Sequence, residues 1–328
     1  MDILSYKGTV PGVLAATLPA YNLGSVRNWG NEVEIGYNDR IGSKVTYWLK
    51  GNLSNTKNEI LFRDEAIIPG LEYQAATGRP IGQGSWLQAN GLYTSWGELY
   101  KLDGNGNPIL SEPIPALNKL GKSYTNADGN TVYQKDLGYG GVPLQPGEVR
   151  LIDYNEDGRI DEKDFVRSGN TSIPKITYGV SLGFSYQGFD FSVLFQGVAG
   201  TARYAMQNQL HFNKQESLFD VDLNRFTEER YKNGEKIDFP IAGYNMSGAA
   251  NTFFLINTSY TRLKNMEIGY TVKADLLRRI GIGSARIYAN GNNLATWCPK
   301  PIWGDPENLN YIGYPITRTY NIGLNVNF

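Results

Sequence analysis

One cysteine and one histidine in 328 residues leave little room for soft-metal or imidazole chemistry. Cys298 alone permits neither an internal disulfide framework nor a thiolate cluster. A Ser-His-Asp hydrolase would have to use His211 as its one base. An excess of charge of one sign is also missing: 31 Lys and Arg against 32 Asp and Glu give a net charge of −1, which provides no electrostatic footprint for nucleic acid. No apolar run reaches the roughly 18–20 residues of a membrane-spanning helix; the longest candidates, such as Phe253-Phe254-Leu255-Ile256, have the length of a strand. The segment from Met1 to Lys7 has neither the basic nor the apolar region of a signal peptide, and read literally it says cytoplasmic. The length suggests about two domains, although a β-barrel can exceed that size as one unit.

Glycine is abundant instead, 38 residues with no three-residue period, which points to turns and close backbone approach rather than to a collagen-like chain. The clearest local signal is alternation. From Ile176 to Gln187, Ile176, Tyr178, Val180, Leu182, Phe184 and Tyr186 share one face, and Thr177, Gly179, Ser181, Gly183 and Ser185 share the other. After Gly188 the pattern returns as Phe189, Phe191, Val193 and Phe195 against Asp190, Ser192, Leu194 and Gln196. Comparable strands are expected at Val33–Tyr37, Val45–Leu49, Met266–Val272, Ile287–Asn293 and Thr319–Phe328, with others inside the long connections. The second face is rich in Gly, Ser, Asn and Gln rather than Lys and Glu. That composition suits the wall of a wet lumen, and the mixed aliphatic and aromatic first face suits lipid. A soluble all-β fold shares the alternation and stays open on this ground.

Connection lengths alternate as well. The turns at 39–42 and 187–188 are short and the linker at 273–284 is moderate, whereas the connections at 54–175, 197–261 and 295–317 are long. Transmembrane barrels place short turns on the periplasmic side and long loops outside.

The first long connection contains the run from Asp153 to Asp164, which has the spacing of a calcium loop. Asp153, Asn155, Asp157 and Asp161 stand at positions 1, 3, 5 and 9, Gly158 at 6, the backbone carbonyl of Arg159 at 7, and Asp164 at 12. Alternate oxygens point into one concavity, and glycine allows the sharp turn. Asp in place of Glu at the last position shortens the reach. A Ca2+ ion in a structural role is the expectation, and an Asx-rich turn that binds nothing is the alternative. No flanking helices are evident, so a calcium-sensing helix pair is not expected.

Other conspicuous residues carry less. His211, among Gln207, Asn208 and Asn213, reads as a loop or lumen residue, and Cys298 as packed. The glycine-rich stretches 104–107 and 138–141 read as loop, since no basic residue and helix follow as a phosphate cradle requires. Trp86, Tyr93, Trp96 and Tyr100, with Trp297, Trp303, Tyr311 and Tyr314, bring aromatic faces to the long connections, mostly for packing. Residues 215–233 read as a short amphipathic helix capped by Gly234.

In order along the chain, Asn28-Trp29-Gly30-Asn31-Glu32, Asn55 to Ile60, Gly78-Arg79-Pro80-Ile81-Gly82, Pro146-Gly147-Glu148, the acidic loop and Gln196-Gly197-Val198-Ala199-Gly200 form a series. Ser259-Tyr260-Thr261-Arg262-Leu263-Lys264-Asn265, Ile287 to Leu294, Asp305-Pro306-Glu307 and the stretch from Tyr314 to Phe328 complete it. This series resembles the SusC/RagA family of TonB-linked outer-membrane transporters. The resemblance implies an all-β membrane β-barrel of 22 antiparallel strands with long extracellular loops, embedded in outer-membrane lipid. It implies import of a glycan or peptide substrate, a SusD-like lipoprotein lid, energy from TonB, and no chemical step. The family's signal peptide, N-terminal regulatory-like domain, TonB box, plug and first barrel strands have no counterpart in these 328 residues, so the whole chain, 1–328, is expected to be the C-terminal part of such a barrel. The rival expectation is a secreted calcium-dependent β-sandwich, an adhesin or glycan-binding module.

Overall fold

The computed structural model describes residues 2–5, 21–204, 223–241, 250–272, 277, 281–299, 305–308, 314 and 316–328. Eight strands form one sheet: β1 (Asp2–Ser5), β2 (Tyr21–Ile41), β3 (Val45–Arg63), β4 (Ile176–Tyr186), β5 (Phe189–Ala199), β6 (Tyr260–Val272), β7 (Ser284–Trp297) and β8 (Thr319–Asn327). Their spatial order is their order in the sequence. The pairings of β1 with β2, and of each neighbouring pair from β3 to β8, are antiparallel. All seven alternating segments are strands of this sheet. The chain separates into two compact units, one comprising residues 1–27, 59–169 and 204–256, the other 28–58, 170–203 and 257–328.

The second unit is the sheet from β3 to β8 with the adjoining part of β2. Register places Val180, Leu182 and Phe184 of β4 beside Phe195, Val193 and Phe191 of β5 and beside Gly51, Leu49 and Tyr47 of β3. The row continues through Met266 and Ile268 of β6, Ala289 and Ile287 of β7, and Ile322 and Leu324 of β8. A water-soluble domain would bury such a row. Here most of it is exposed: Ile268 and Ile287 are each 52% exposed and Ile322 84%, and Val193, between Leu182 and Met266, is the buried member at 7%. On the other face Gly183 is buried beside the Trp48 ring. The β4–β5 turn is made by Gln187 and Gly188, both at positive φ, the two-residue geometry whose twist matches a hairpin.

β4 and β5 have 11 residues each, enough for a tilted strand to cross a bilayer core. β2 and β3 run for 21 and 19 residues. At about 3.3 Å per residue they far exceed a hydrocarbon thickness of about 30 Å, and both contribute residues to the first unit.

That first unit folds by the opposite logic. Leu87, Tyr93, Leu99, Phe226 and Phe254 are all but fully buried. Short ladders knit the long connection together: Ser85–Leu87 with Phe165–Arg167, Ala89–Leu92 with Val149–Leu151, and Tyr100–Leu102 with Pro108–Pro113. Gly78-Arg79 pairs with the end of β3 through Gly78 N–H to the Ile60 carbonyl and Ile60 N–H to the Arg79 carbonyl, at 2.7 and 2.9 Å. The Glu65 carboxylate accepts the N–H groups of Ala76 and Thr77. The helix expected over 215–233 is corrected by the described part of it. Only Glu228–Lys232 is α-helical, with the Thr227 hydroxyl accepting the Arg230 N–H, and Leu223 and Asn224 lie in a 3-10 turn. Phe226 instead pairs its N–H with the Phe239 carbonyl at 2.9 Å, so bridge pairing overrides the helical periodicity there. Gly234 does end the helix, at φ 67°; residues 215–222 lie outside the described residues.

Leu99 is 0% exposed, and its truncation leaves a cavity in a core with no lipid to fill it. Leu99→Ala is expected to cost about 2–5 kcal/mol and to raise the protease sensitivity of residues 85–151 while leaving strand content by circular dichroism unchanged.

Candidate functional site

On the polar face, side chains from different strands meet because the ladder sets them opposite or diagonal to one another, with Gly269 leaving room for Arg286 to reach across. Arg286 of β7 donates its Nε–H to Asp190 of β5 at 3.0 Å and a terminal N–H to Glu267 of β6 at 2.8 Å, and a second N–H reaches Asp190. Asn290 donates to Glu267 at 3.1 Å, and Asn321 donates to Asn290 at 2.9 Å. Asn265 donates to Asn292 at 2.9 Å. The result is a ladder of amides and one guanidinium held between two carboxylates. Its charges are partly exposed, so the pairs fix geometry more than they stabilise.

A second node is more deeply buried. Arg262 of β6 is 1% exposed and holds both oxygens of Asp305 at 2.6 Å, with Glu307 at 2.9 Å and the Tyr260 ring at 5.2 Å. Lys264 also approaches Glu307, at 3.6 Å. The node depends on an irregularity. Leu194 of β5 pairs with Asn265 but the next residue, Phe195, pairs with Leu263, so Lys264 is the extra residue of a bulge. Strict alternation from Glu267 and Asn265 would put Leu263 on the polar face and Arg262 on the apolar one. The bulge reverses that and brings Arg262 to the acidic residues of the β7–β8 connection. Arg203 donates to the Asn308 carbonyl at 2.7 Å, a further tie to that connection.

The acidic loop of the first unit folds around its own backbone. Asp153 accepts the Gly158 N–H and the Tyr124 hydroxyl, each at 2.7 Å, and the Asp157 N–H at 3.2 Å. Asp164 accepts the N–H groups of Tyr154 at 2.7 Å and Asp161 at 2.9 Å. Asn155 accepts from and donates to Asp157. Asp157 accepts the Arg159 N–H. Asp161 accepts the Lys163 N–H as the N-cap of a short 3-10 turn that Asp164 closes from the other side, a capping box the spacing did not announce. Gly158 has φ 89°, and a Cβ there would lie 2.7 Å from a Val132 methyl, which is why glycine occupies the sixth position. Burial raises the carboxyl pKa of Asp153, and raises that of Asp164 to about 6. The loop thus brings Asp153, Asn155 and Asp157 together around one turn and sets Asp161 at the cap. Among the described residues no three His, Cys, Asp or Glu side chains form a metal-holding group.

The aromatic residues mostly pack. Trp86 stacks on Tyr204 with ring centroids 4.6 Å apart. Tyr93 is 1% exposed, donates its hydroxyl to Gln134 at 3.0 Å and lies under the Arg150 guanidinium. Trp297 and Tyr314 are exposed, Cys298 is a half-buried free thiol, and residues 104–106 form the turn between Tyr100–Leu102 and Pro108–Pro113. His211, Trp303 and Tyr311 lie outside the described residues.

No family model matches the chain. Curated relatives do. A TonB-dependent receptor of Formosa agariphila is 30% identical over 245 residues, 69% of this chain and 24% of the relative. The TonB-dependent receptor SusC of Bacteroides thetaiotaomicron is 23% identical over 324 residues, 94% of this chain and 27% of the relative. This chain belongs to the SusC/RagA family of TonB-linked transporters. Among solved structures, the RagAB peptide importer in its closed-closed state has the same fold, with a TM-score of 0.62 at 19% identity over 99% of this chain and 32% of that one. The chain spans about a quarter to a third of the length of these relatives.

Within this SusC/RagA chain, Pro146-Gly147-Glu148 leads into the acidic loop, and Glu148 is a buried carboxyl. Desolvation raises its pKa, opposed by a long hydrogen bond from Gln145. A folded-state pKa above the unfolded one means the folded protein binds more protons between the two, so stability falls as pH rises through that window. Glu148→Gln is expected to stabilise the first unit at pH 7 and to flatten the decline above about pH 4.5, measured by urea unfolding at several pH values.

Proposed function

We propose that this chain contributes a run of strands and extracellular loops to the closed barrel of an outer-membrane nutrient importer, with the polar face of the sheet lining the substrate path. The observation that carries this is the largely exposed apolar row from β4 to β8, set back to back with a hydrogen-bonded amide and ion-pair face. A β-sandwich adhesin would have to cover that row with a second sheet, whereas lipid covers it in a barrel without further protein. Import needs no covalent step, and the described polar groups are arranged as a wetted wall rather than as a nucleophile beside its base. The SusC relative and the RagAB likeness support a SusD-like lipoprotein lid, energising by TonB, a barrel of 22 strands, and a glycan or peptide as cargo. The test follows parity. Val180→Arg or Phe184→Arg in the full-length protein places a charge on the lipid face at a cost of about 2–4 kcal/mol near the midplane, and is expected to deplete the heat-modifiable, membrane-inserted form. Ser181→Arg, one residue away, is expected to insert; equal insertion of both parities contradicts the assignment.

We also infer a structural Ca2+ ion in the acidic loop, held by Asp153, Asn155, Asp157, Asp161 and Asp164 with the Arg159 carbonyl. Asp153 and Asp164 are 6% and 0% exposed and make no ion pair among the described residues. A buried carboxylate without a countercharge is costly. Asp153 Oδ2 and Asp164 Oδ1 each already accept two hydrogen bonds, whereas Asp164 Oδ2 accepts only the Asp161 N–H among the described residues and retains a lone pair that a hard divalent cation can use. Calcium at extracellular concentrations, with affinity on the order of 10⁻⁴ to 10⁻³ M, is expected to protect residues 140–170 of the full-length protein from protease. Asp157→Ala is expected to abolish that protection; unchanged binding and protection in this variant would mean the loop is an acidic turn only.

A further inference from the structure

We propose that a cleft within the first unit, between residues 126–141 and 158–161, is a binding site for a short uncharged saccharide. It encloses about 640 Å³, inside the range of about 300–1,000 Å³ typical of small-ligand sites. Val132 and Ile160, both buried, line it alongside the half-buried Tyr133 ring.

The polar lining is neutral and unspent. The side-chain oxygen of Asn126 accepts the N–H groups of Asp128 and Asn130, each at 3.0 Å. Its amide NH2 has no partner among the described residues, nor do the Asn130 amide, the Thr131 hydroxyl or the Tyr133 hydroxyl. Gly140 and Gly141 also line the cleft, and a Cβ on either would meet no protein atom within 4 Å. A ligand can therefore approach that stretch of backbone without displacing anything. The four charged groups of the lining sum to zero: Lys135 pairs with Asp136 at 2.5 Å, and the formal charge of Arg159 is offset by that of Asp161. A phosphate or a multiply charged peptide gains no net attraction from such a wall. Amides and hydroxyls arrayed beside one aromatic ring match the hydroxyls and apolar face of a sugar ring.

The second half of the acidic loop, Gly158 to Asp161, forms one wall of the cleft. The hydrogen bonds that Asp153 and Asp164 accept from their own loop therefore also hold the wall in place. The site names a substrate class for the importer, and for that biological use it rests on the importer reading; binding itself does not require transport.

The test is amide hydrogen exchange on the full-length protein in detergent, with millimolar cello-, malto- and xylohexaose as saccharide probes and an uncharged hexapeptide as the contrast. At least one hexaose is expected to slow exchange at residues 138–141 and 158–161 by threefold or more. Tyr133→Ala is expected to weaken that hexaose about five- to tenfold, the scale of one lost stacking contact. Asn130→Ala, at the turn, is expected to weaken it too and guards against a folding defect in the first variant. No protection by any hexaose, or protection by the hexapeptide instead, overturns the proposal. Uptake by cells is scored separately: import without cleft protection overturns the cleft and leaves the importer reading standing, whereas protection without import does the reverse.

Discussion

The antiparallel ladder from β3 to β8 decides which solvent each side chain meets. Side-chain direction alternates with period two, so a slip of one residue would exchange the faces of a whole strand. In this sheet a slip would turn Asp190, Glu267 and Arg286 outward and Phe191, Ile268 and Ile287 inward. The one place where the sequence itself breaks alternation, around Leu263 and Asn265, is where the ladder admits a bulge. That bulge keeps Arg262 on the polar face, where Asp305 and Glu307 neutralise it. On the proposed lipid face an Arg near the midplane would cost about 2–4 kcal/mol. The tie between β6 and the β7–β8 connection is therefore a consequence of register.

The two units satisfy opposite constraints. The first buries Leu87, Leu99 and Phe254 away from water, as a soluble fold does, and rests on short ladders, turns and capped carboxylates. The second leaves its apolar side chains outermost and gathers its polar groups on one face. Long connections with stable cores let groups that select a ligand sit on ordered backbone and not on mobile tips. Gly158 and the carboxylates around it show how that order is reached locally, by spending acceptors on backbone N–H groups.

Seven of the eight strands were legible because period two survives over part of each, and Ile176 to Gln187 was read almost to its observed ends; β1, only four residues long, was not read. The extents of β2 and β3 were not legible: Ser25, Arg27 and Asn31 at one end and Asn55 and Lys57 at the other interrupt the apolar face, since those stretches lie beyond the apolar row. The acidic loop was legible as a spacing, but the capping role of Asp161 and Asp164 was not, because a capping box and a calcium loop draw on the same residue types. Arg262 with Asp305, 43 residues apart, and Arg286 with Asp190, 96 apart, are set by strand order, which no local pattern encodes. The helix expected across Phe226 failed because its pairing with Phe239 is likewise non-local.

The central claim is that the exposed apolar row faces lipid and the amide face meets water. Site-directed spin labelling along Ile176–Phe195 of the full-length protein in bilayers tests it most directly, by comparing collision with oxygen, which concentrates in lipid, and with a water-soluble nickel chelate. The account predicts a two-residue oscillation, with oxygen access highest at Val180, Leu182, Phe184 and Phe189 and chelate access highest at Ser181, Ser185, Asp190 and Ser192, out of phase throughout. Equal access at both parities, or oxygen maxima at the serine positions, would contradict it.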